Sequence, residues 1–273
     1  MASPRGLKPA SVSVVIPCWR CADVVGRAVA SVAAQTLPAL EIILIDDASG
    51  DATLPTLHGL ASRHRPGWVK VIALPANAGP GAARNAGWDA ATGDYVALLD
   101  ADDAWHSRKL ELQMAWMARH PDVDLTGHGS KVMRQGESEP AASTAPNARP
   151  VTIANILYAN PILTRTVVMK RAIRQRFAGR LVAEDLLLWL ELVASGTSAR
   201  VLDAPLAFSY RPEFSPGGYS GDLWRHEMRE LRAIRAARQQ RLLPVIGWLL
   251  AAGWSLLKYV RRVCIARWGR LAA

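Results

Sequence analysis

The chain has 273 residues, 50% of them hydrophobic and 21% charged, with only three cysteines. That composition excludes an intrinsically disordered chain and a disulfide scaffold, and it suffices for one large core with or without an appendage. The net charge of +10 is uneven: eleven Lys and Arg from Arg225 to Arg270 face only Glu227 and Glu230, so residues 225–273 carry +9 and the rest of the chain +1. A nucleic-acid binder is not expected, since the charge is confined to one end and no recognition motif accompanies it. A near-neutral body with a basic tail points instead to an anionic surface such as lipid.

Residues 1–10 form a tail without an apolar core of signal-peptide length, so a cytoplasmic start is expected, and the low cysteine count fits a reducing compartment. Val12–Ile16 is a β-branched run stopped by Pro17 and reads as a buried strand. Ala22–Gln35 has helical spacing, Glu41–Ile45 is a second strand ending in Asp46-Asp47, and Thr53–His64 is a second helix that Asp51 can cap. Val69–Ala73 is a third strand, Ala82–Ala91 an alanine-rich helix, and Tyr95–Leu99 a fourth strand ending at Asp100. Ser107 is placed to cap a helix over Arg108–His120. Strands alternating with helices at this spacing predict βαβ units in a mainly parallel sheet covered on both faces.

Residues 134–150 are rich in Pro, Ala and Ser and read as a mobile loop. Ile153–Tyr158, Glu184–Ala194 and Val201–Tyr210 supply further helix and strand pieces, 211–221 is loop-like, and Asp222–Gln240 is helical and basic. Leu242–Leu257 is sixteen residues without a charge, flanked by Arg241 and by Arg261-Arg262, with Trp248, Trp254 and Tyr259 inside or beside it. A spanning helix needs roughly 20 apolar residues. A core helix, an interfacial helix and a span all fit, the interfacial one best.

Ligands of open α/β sheets bind beyond the carboxyl ends of the strands. Four polar segments lie there: Pro17–Arg20, Asp46–Thr53, Asn77–Asn85 and Asp100–Asp103. Three carboxylates within Asp100–Asp103 repel one another, and hard cations such as Mg²⁺ and Mn²⁺ seek such oxygens together with substrate phosphates. A polar turn with Asp102 or Asp103 capping a helix is the alternative. The Gly79–Gly81 loop can bring backbone N–H groups to a phosphate, although it is neither a Walker A loop nor a dinucleotide fingerprint. Cys18 and Cys21 form a lone C-x-x-C, read as two ordinary cysteines.

Five segments in order resemble the inverting family 2 glycosyltransferases of GT-A fold. They are Val14–Pro17; Asp46–Ser49 with Asp51 and Thr53; Asn77–Gly87 (NAGPGAARNAG); Leu99–Asp103 with Trp105; and Glu184-Asp185 with Trp189. The resemblance implies an α/β GT-A domain over 11–221, with a nucleotide-sugar half at 11–130 and an acceptor half at 151–221. A C-terminal, membrane-associating helical segment at 222–273 follows. It implies that Asp47 binds the base of a nucleoside-diphosphate sugar, a UDP-sugar being favoured, with Pro17 and Asp46 nearby. Asp100 and Ala101 would line the ribose or donor sugar, Arg84 the phosphate or sugar, and Asp102 would hold Mg²⁺ or Mn²⁺. Asp185 would be the general base. Cys18-Trp19-Arg20 departs from the aromatic-Asn pair that often follows the first strand, which alters the base pocket. The Gln-x-x-Arg-Trp motif of processive members is absent, its nearest string being Cys264–Trp268, so single addition is expected. The expected enzyme moves a sugar to a lipid-linked or surface-polysaccharide glycan at the cytoplasmic side of the membrane, or in the cytoplasm if the apolar helix is core. The rival reading is an inactive glycosyltransferase-like binding or assembly protein.

Overall fold

Val12–Cys18 forms β1, and its seven residues are almost all buried because helices cover both faces of the sheet. The computed structural model describes residues 11–134, 137–210 and 222–271. The N-terminal tail, the 211–221 loop and the side chains of the Ala266–Trp268 string lie outside the described residues. In chain order, α1 (Val25–Ala33), β2 (Glu41–Asp46), α2 (Thr53–Ala61), β3 (Val69–Ala73), α3 (Pro80–Ala90) and β4 (Tyr95–Leu98) follow. β5 (Asp103–Trp105), α4 (Lys109–Arg119), β6 (Leu125–Val132), β7 (Ala148–Pro150), α5 (Ile153–Ala159) and β8 (Val168–Lys170) come next. The chain ends in α6 (Glu184–Ala194), β9 (Ala199–Ser209), α7 (Leu223–Gln239) and α8 (Val245–Leu271).

The nine strands form one sheet in the order β3-β2-β1-β4-β8-β6-β9-β5, with β7 also on β9. Its first half, β3-β2-β1-β4, is wholly parallel, as the βαβ pattern predicts. The second half is mixed: β8 runs antiparallel to both β4 and β6, β6 is parallel to β9, and β5 and β7 are antiparallel to β9. β1 is not stopped by Pro17 but runs on to Cys18, pairing Pro17 with Ile45. Val15 O accepts from Leu99 N, whereas Cys18 O accepts from Asp47 N. The polar groups of Pro17 therefore point to the β4 side, where β4 has already ended, and the missing N–H breaks no ladder bond.

Helix α3 presses close to the sheet at Gly87. A Cβ there would collide with Val15 Cγ1 and lie 2.6 Å from Ile45 Cδ1. Gly87→Ala is expected to destabilise the fold by about 1–3 kcal/mol through overpacking, read as a lower urea midpoint at unchanged slope.

Three local expectations are corrected. Ser107 does not cap α4; its N–H and hydroxyl both donate to Glu139, and Arg108 N donates to His106 Nδ1. Neither Asp102 nor Asp103 is a helix cap, since Asp103 opens β5. Residues 134–150 lack regular structure for most of their length, yet they are tethered through Glu139 and through the His106 Nε2 contact to Pro140 O, and they end in β7. Asp51 does accept from Thr53 N at 2.9 Å, at the start of α2.

Asp222 caps α7 by accepting from Arg225 N. The inner face of α7, with Ala233, Ile234 and Ala237, joins the same core as Leu187–Leu190 of α6. α8 then folds back along α7. Among the described residues no helix is long and apolar enough to cross a membrane.

Candidate active site

The carboxyl ends of the parallel strands gather the motif residues on one edge of the sheet. After β2 the backbone takes a left-handed turn at Ala48, with φ of 51°. This turn sends the Asp46 and Asp47 carboxylates in different directions. Asp46 accepts from the Ser49 hydroxyl and closes the turn, and Ser49 Oγ accepts from Arg20 N at 3.1 Å. Asp47 reaches the third segment: Oδ1 accepts from Ala78 N and Oδ2 from Gly79 N, both at 2.8 Å, with Asn77 Nδ2 also on Oδ2 at 3.0 Å. The N–H groups of Ala78 and Gly79 are thus spent on Asp47 rather than held open for a phosphate. The glycines of this loop serve close packing instead. Gly79 has φ of 91°, and a Cβ on Gly81 would lie 2.8 Å from Ala178 O and 2.9 Å from Glu184 Cγ. Trp19 stands 53% exposed beside this pocket edge, with the Arg20 guanidinium 5.0 Å above its ring. Cys18 and Cys21 are free buried thiols.

Arg84, on the buried side of α3, joins the two halves of the chain. Its Nη2 donates to Asp100 Oδ1 at 2.7 Å and its Nη1 to Glu184 Oε1 at 3.3 Å. Burial opposes its charge, but Asp100, Glu184 and Asp185 outweigh that cost and hold its pKa above the ordinary arginine value. The helix begins at Pro80, two residues earlier than the sequence reading put it, and the absence of a side chain on Gly81 in its first turn lets Glu184 at the start of α6 come against it.

The two carboxylates that open α6 differ in their engagement. Glu184 is buried and bound to Arg84; burial raises its pKa and Arg84 pulls it down. Asp185 is half-buried, and among the described residues its carboxylate accepts from Leu186 N, at 2.8 Å. Burial raises its pKa above the usual carboxylate range, Leu186 N–H and Arg84 oppose this, and nearby Asp100 adds to the rise. A carboxylate whose basicity is raised by burial and which has few partners is suited to accept a proton.

The Asp100–Asp103 cluster divides in the same way. Asp100 O accepts from Asp103 N, which makes a tight turn between β4 and β5. Ala101 is buried in it. Asp103 points inward against Arg165 at 3.5 Å, and burial followed by repulsion from Asp100 pushes its pKa up to about 7. Asp102 is half-buried; Arg27 Nη2 donates to its backbone carbonyl, and its carboxylate makes no hydrogen bond or ion pair with a described residue. Among the described residues no three His, Cys, Asp or Glu side chains converge into a metal cage. One free carboxylate with a second beside it fits a hard cation that takes its remaining ligands from substrate phosphate.

Two groups of partners were not read from the sequence. Arg27 and Arg165 secure the acidic turn from α1 and from the 3₁₀ turn at Thr164–Thr166, far away along the chain. Trp105 is fully buried, donates Nε1–H to Arg165 O at 2.8 Å, and carries the Lys109 ammonium 3.7 Å from its ring centroid. Burial drives the Lys109 pKa well below its usual value. The Trp105 position in the acidic motif was the only signal for this support.

Comparison with known proteins agrees with this arrangement. Residues 13–176 match the family described as glycosyl transferase family 2. The putative teichuronic acid biosynthesis glycosyltransferase TuaG of Bacillus subtilis is 32% identical over 72% of this chain and 77% of its own length. The Escherichia coli enzyme WfgD, a UDP-Glc:alpha-D-GlcNAc-diphosphoundecaprenol beta-1,3-glucosyltransferase, is 27% identical over 73% of this chain and 76% of its own. Other relatives are spanned for less than two thirds of their length, such as the succinoglycan biosynthesis protein ExoO of Rhizobium meliloti, 42% identical over 38% of this chain and 28% of its own. Among solved structures, S. aureus TarS 1–349 with UDP-GlcNAc superposes with a TM-score of 0.68 at 23% identity, over 90% of this chain and 71% of that one. The mannosyltransferase PcManGT of Pyrobaculum calidifontis, in complex with GDP-Man and Mn²⁺, gives 0.66 at 18% identity over 94% and 75%. The strand-end carboxylates, the arginine that ties them to α6 and a sheet shared with these enzymes lead to one assignment: the chain belongs to glycosyl transferase family 2 and has the GT-A fold.

Proposed function

We propose that the enzyme transfers a sugar, with inversion, from a nucleoside-diphosphate donor to a hydroxyl of a lipid-linked or surface-polysaccharide glycan. The observation that carries this reading is Arg84, which salt-bridges Asp100 at the donor end of the sheet and Glu184 beside Asp185. This arginine ties Asp100 to Glu184, the neighbour of Asp185, and so supports reading the two segments as parts of one site. In it Pro17, Asp46 and Asp47 frame the nucleobase pocket, while Arg84, Asp100 and Ala101 frame the ribose, phosphate and donor sugar. Asp185 takes the proton of the acceptor hydroxyl as that oxygen attacks the anomeric carbon. The new C–O bond forms as the bond to the diphosphate breaks, and the diphosphate leaves with the electron pair. Asp102 would hold Mg²⁺ or Mn²⁺, which would compensate the charge on that leaving group.

The names of TuaG, WfgD and ExoO support polysaccharide assembly, and WfgD supports a UDP-sugar and a lipid diphosphate acceptor. Residues 222–273 attach the enzyme to the cytoplasmic side of an anionic membrane, where such an acceptor is presented. A non-catalytic binding protein is the alternative, and metal-dependent donor hydrolysis separates the two. The direct test is a thermal-shift screen of nucleotide sugars with Mn²⁺ or Mg²⁺. The right donor at 100 times its Kd is expected to stabilise the protein by about 2.7 kcal/mol. Failure of every nucleotide sugar to raise Tm would reject the reading.

A further inference from the structure

Helix α8 is built inside out. The side turned to α7 is polar: Ser255 Oγ donates to Glu227 Oε1 at 2.8 Å, Lys258 Nζ to Glu230 Oε1 at 2.6 Å, and Arg262 Nη2 to Glu227 Oε2 at 2.6 Å. Glu227 is completely buried by this network. The opposite side is aliphatic and open: Ile246 is 73% exposed, Leu249 56%, Leu250 70%, Leu257 58% and Val260 55%. Their spacings of three, one, seven and three residues put them in a stripe on one face of the helix, with exposed Gly253 in the gap between Leu250 and Leu257. A helix in water buries its apolar side and exposes its charges; here Trp248 and Ala251 do pack into the core, but from Ser255 to Arg262 the inner side is polar while the aliphatic residues stand outside.

The charges around the stripe favour one occupant. Lys258 and Arg262 are spent on Glu227 and Glu230, so they do not serve an external partner. Arg241, just before α8, and Arg261, next to Val260, are exposed at the two ends of the stripe. Arg232 and Arg235 are exposed on α7, and no exposed acidic residue lies on α8. Aliphatic residues bracketed by cations match the boundary between acyl chains and anionic headgroups. The flanking aromatics suit the same depth: Tyr158, 63% exposed, stacks on Trp254 at 4.9 Å, and Trp224, 54% exposed, meets Tyr259 at 5.7 Å.

We infer that α8 lies flat in the plane of an anionic leaflet, with the Ile246–Leu250–Leu257–Val260 stripe sunk into it and its polar side locked to α7. The inference rests on the membrane attachment proposed above and names the face and the orientation that perform it. Arg229 O accepts from Ala183 N at 3.0 Å, and Ala183 precedes Glu184-Asp185. The helix pair that meets the membrane is therefore tied by a backbone bond to the start of α6.

The test is co-sedimentation of the full chain with vesicles of phosphatidylcholine and phosphatidylglycerol in equal parts, and with phosphatidylcholine alone. The full chain is expected to pellet with the mixed vesicles, far less with the neutral ones, and to be released by high salt. Leu250→Glu with Leu257→Glu is expected to weaken partition by roughly a hundredfold, because each leucine removed from lipid contributes about a factor of ten or more. Tm and donor binding stay unchanged, since neither side chain has a buried partner to lose. If the Glu variant still binds while Arg241→Gln with Arg261→Gln does not, attachment is by charge alone; the in-plane stripe is then wrong and the membrane reading survives. If the full chain ignores both vesicles, both readings fail. If it forms a dimer that Leu250→Glu dissociates and does not bind vesicles, the stripe belongs to a second copy and the inference is overturned.

Discussion

Asp185→Asn is expected to retain donor affinity and to lose about 10²–10⁴ of the turnover, the range that general base catalysis typically contributes. The substitution keeps the shape of the side chain and its contact to Leu186 N while removing the site that receives the acceptor proton. The neighbouring carboxylate cannot replace it, because Glu184 is already held by Arg84 at 3.3 Å. The pH profile supplies a second readout. As the proposed base Asp185 would act only when ionised, and burial pushes its pKa above the usual carboxylate range. Turnover should therefore rise with pH through that raised value and level off above it, and the acid limb should vanish in the Asn variant. Glu184→Gln is the necessary comparison. It removes a partner of Arg84, so a lower Tm is expected, with turnover falling less than in Asp185→Asn. Should Glu184→Gln abolish turnover while Asp185→Asn keeps it at unchanged Tm, the base is Glu184.

The half of the sheet that carries the donor motifs could be read from the chain because its signals are local. Val12–Ile16, Glu41–Ile45 and Tyr95–Leu99 are apolar runs, the last two ending in carboxylates, and the parallel strands fall on them with shifts of one or two residues. The mixed half was opaque for physical reasons. β8 is only three residues long, and β5 lies inside an acidic turn where repulsion argues against a strand. β6, with the sequence LTGHGSKV, carries two glycines that weaken its strand signal. Those glycines are used for approach: a Cβ at Gly127 would lie 3.2 Å from Thr166 Oγ1, and one at Gly129 3.2 Å from Ala204 O. The same contrast holds at the site. Asp47, Arg84, Asp102 and Asp185 announce themselves as residue types at strand ends and at a helix start. The pairings do not: Asn77 and Glu184 stand in the motifs, but their bonds to Asp47 and Arg84 span 30 and 100 residues of chain. The tail shows a further limit of reading by composition. Eleven cations sum to one strong charge in sequence, whereas the fold turns Lys258 and Arg262 inward and leaves an aliphatic stripe outside.

The acidic turn gives the most specific expectation for the donor side. Asp102→Asn should abolish transfer and the metal-dependent part of donor binding while leaving the fold intact. Its carboxylate has no described partner and is partly open to solvent, so replacement by the neutral isostere should change stability by no more than about 0.5 kcal/mol. Asp100→Asn provides the contrast. Asp100 is ion-paired with buried Arg84, and its loss leaves that guanidinium with Glu184 alone, so Tm should fall as well as activity. A stability-neutral loss at position 102 beside a destabilising loss at position 100 is the pattern of one carboxylate kept free for an external cation and one committed to the protein. Excess chelator should reproduce the Asp102→Asn phenotype in the unmodified enzyme, and added Mn²⁺ should restore the enzyme but not the variant. Full transfer by Asp102→Asn, or by the unmodified enzyme in chelator, would mean that the leaving diphosphate is stabilised by protein cations instead, and Arg84 is the one already at the site.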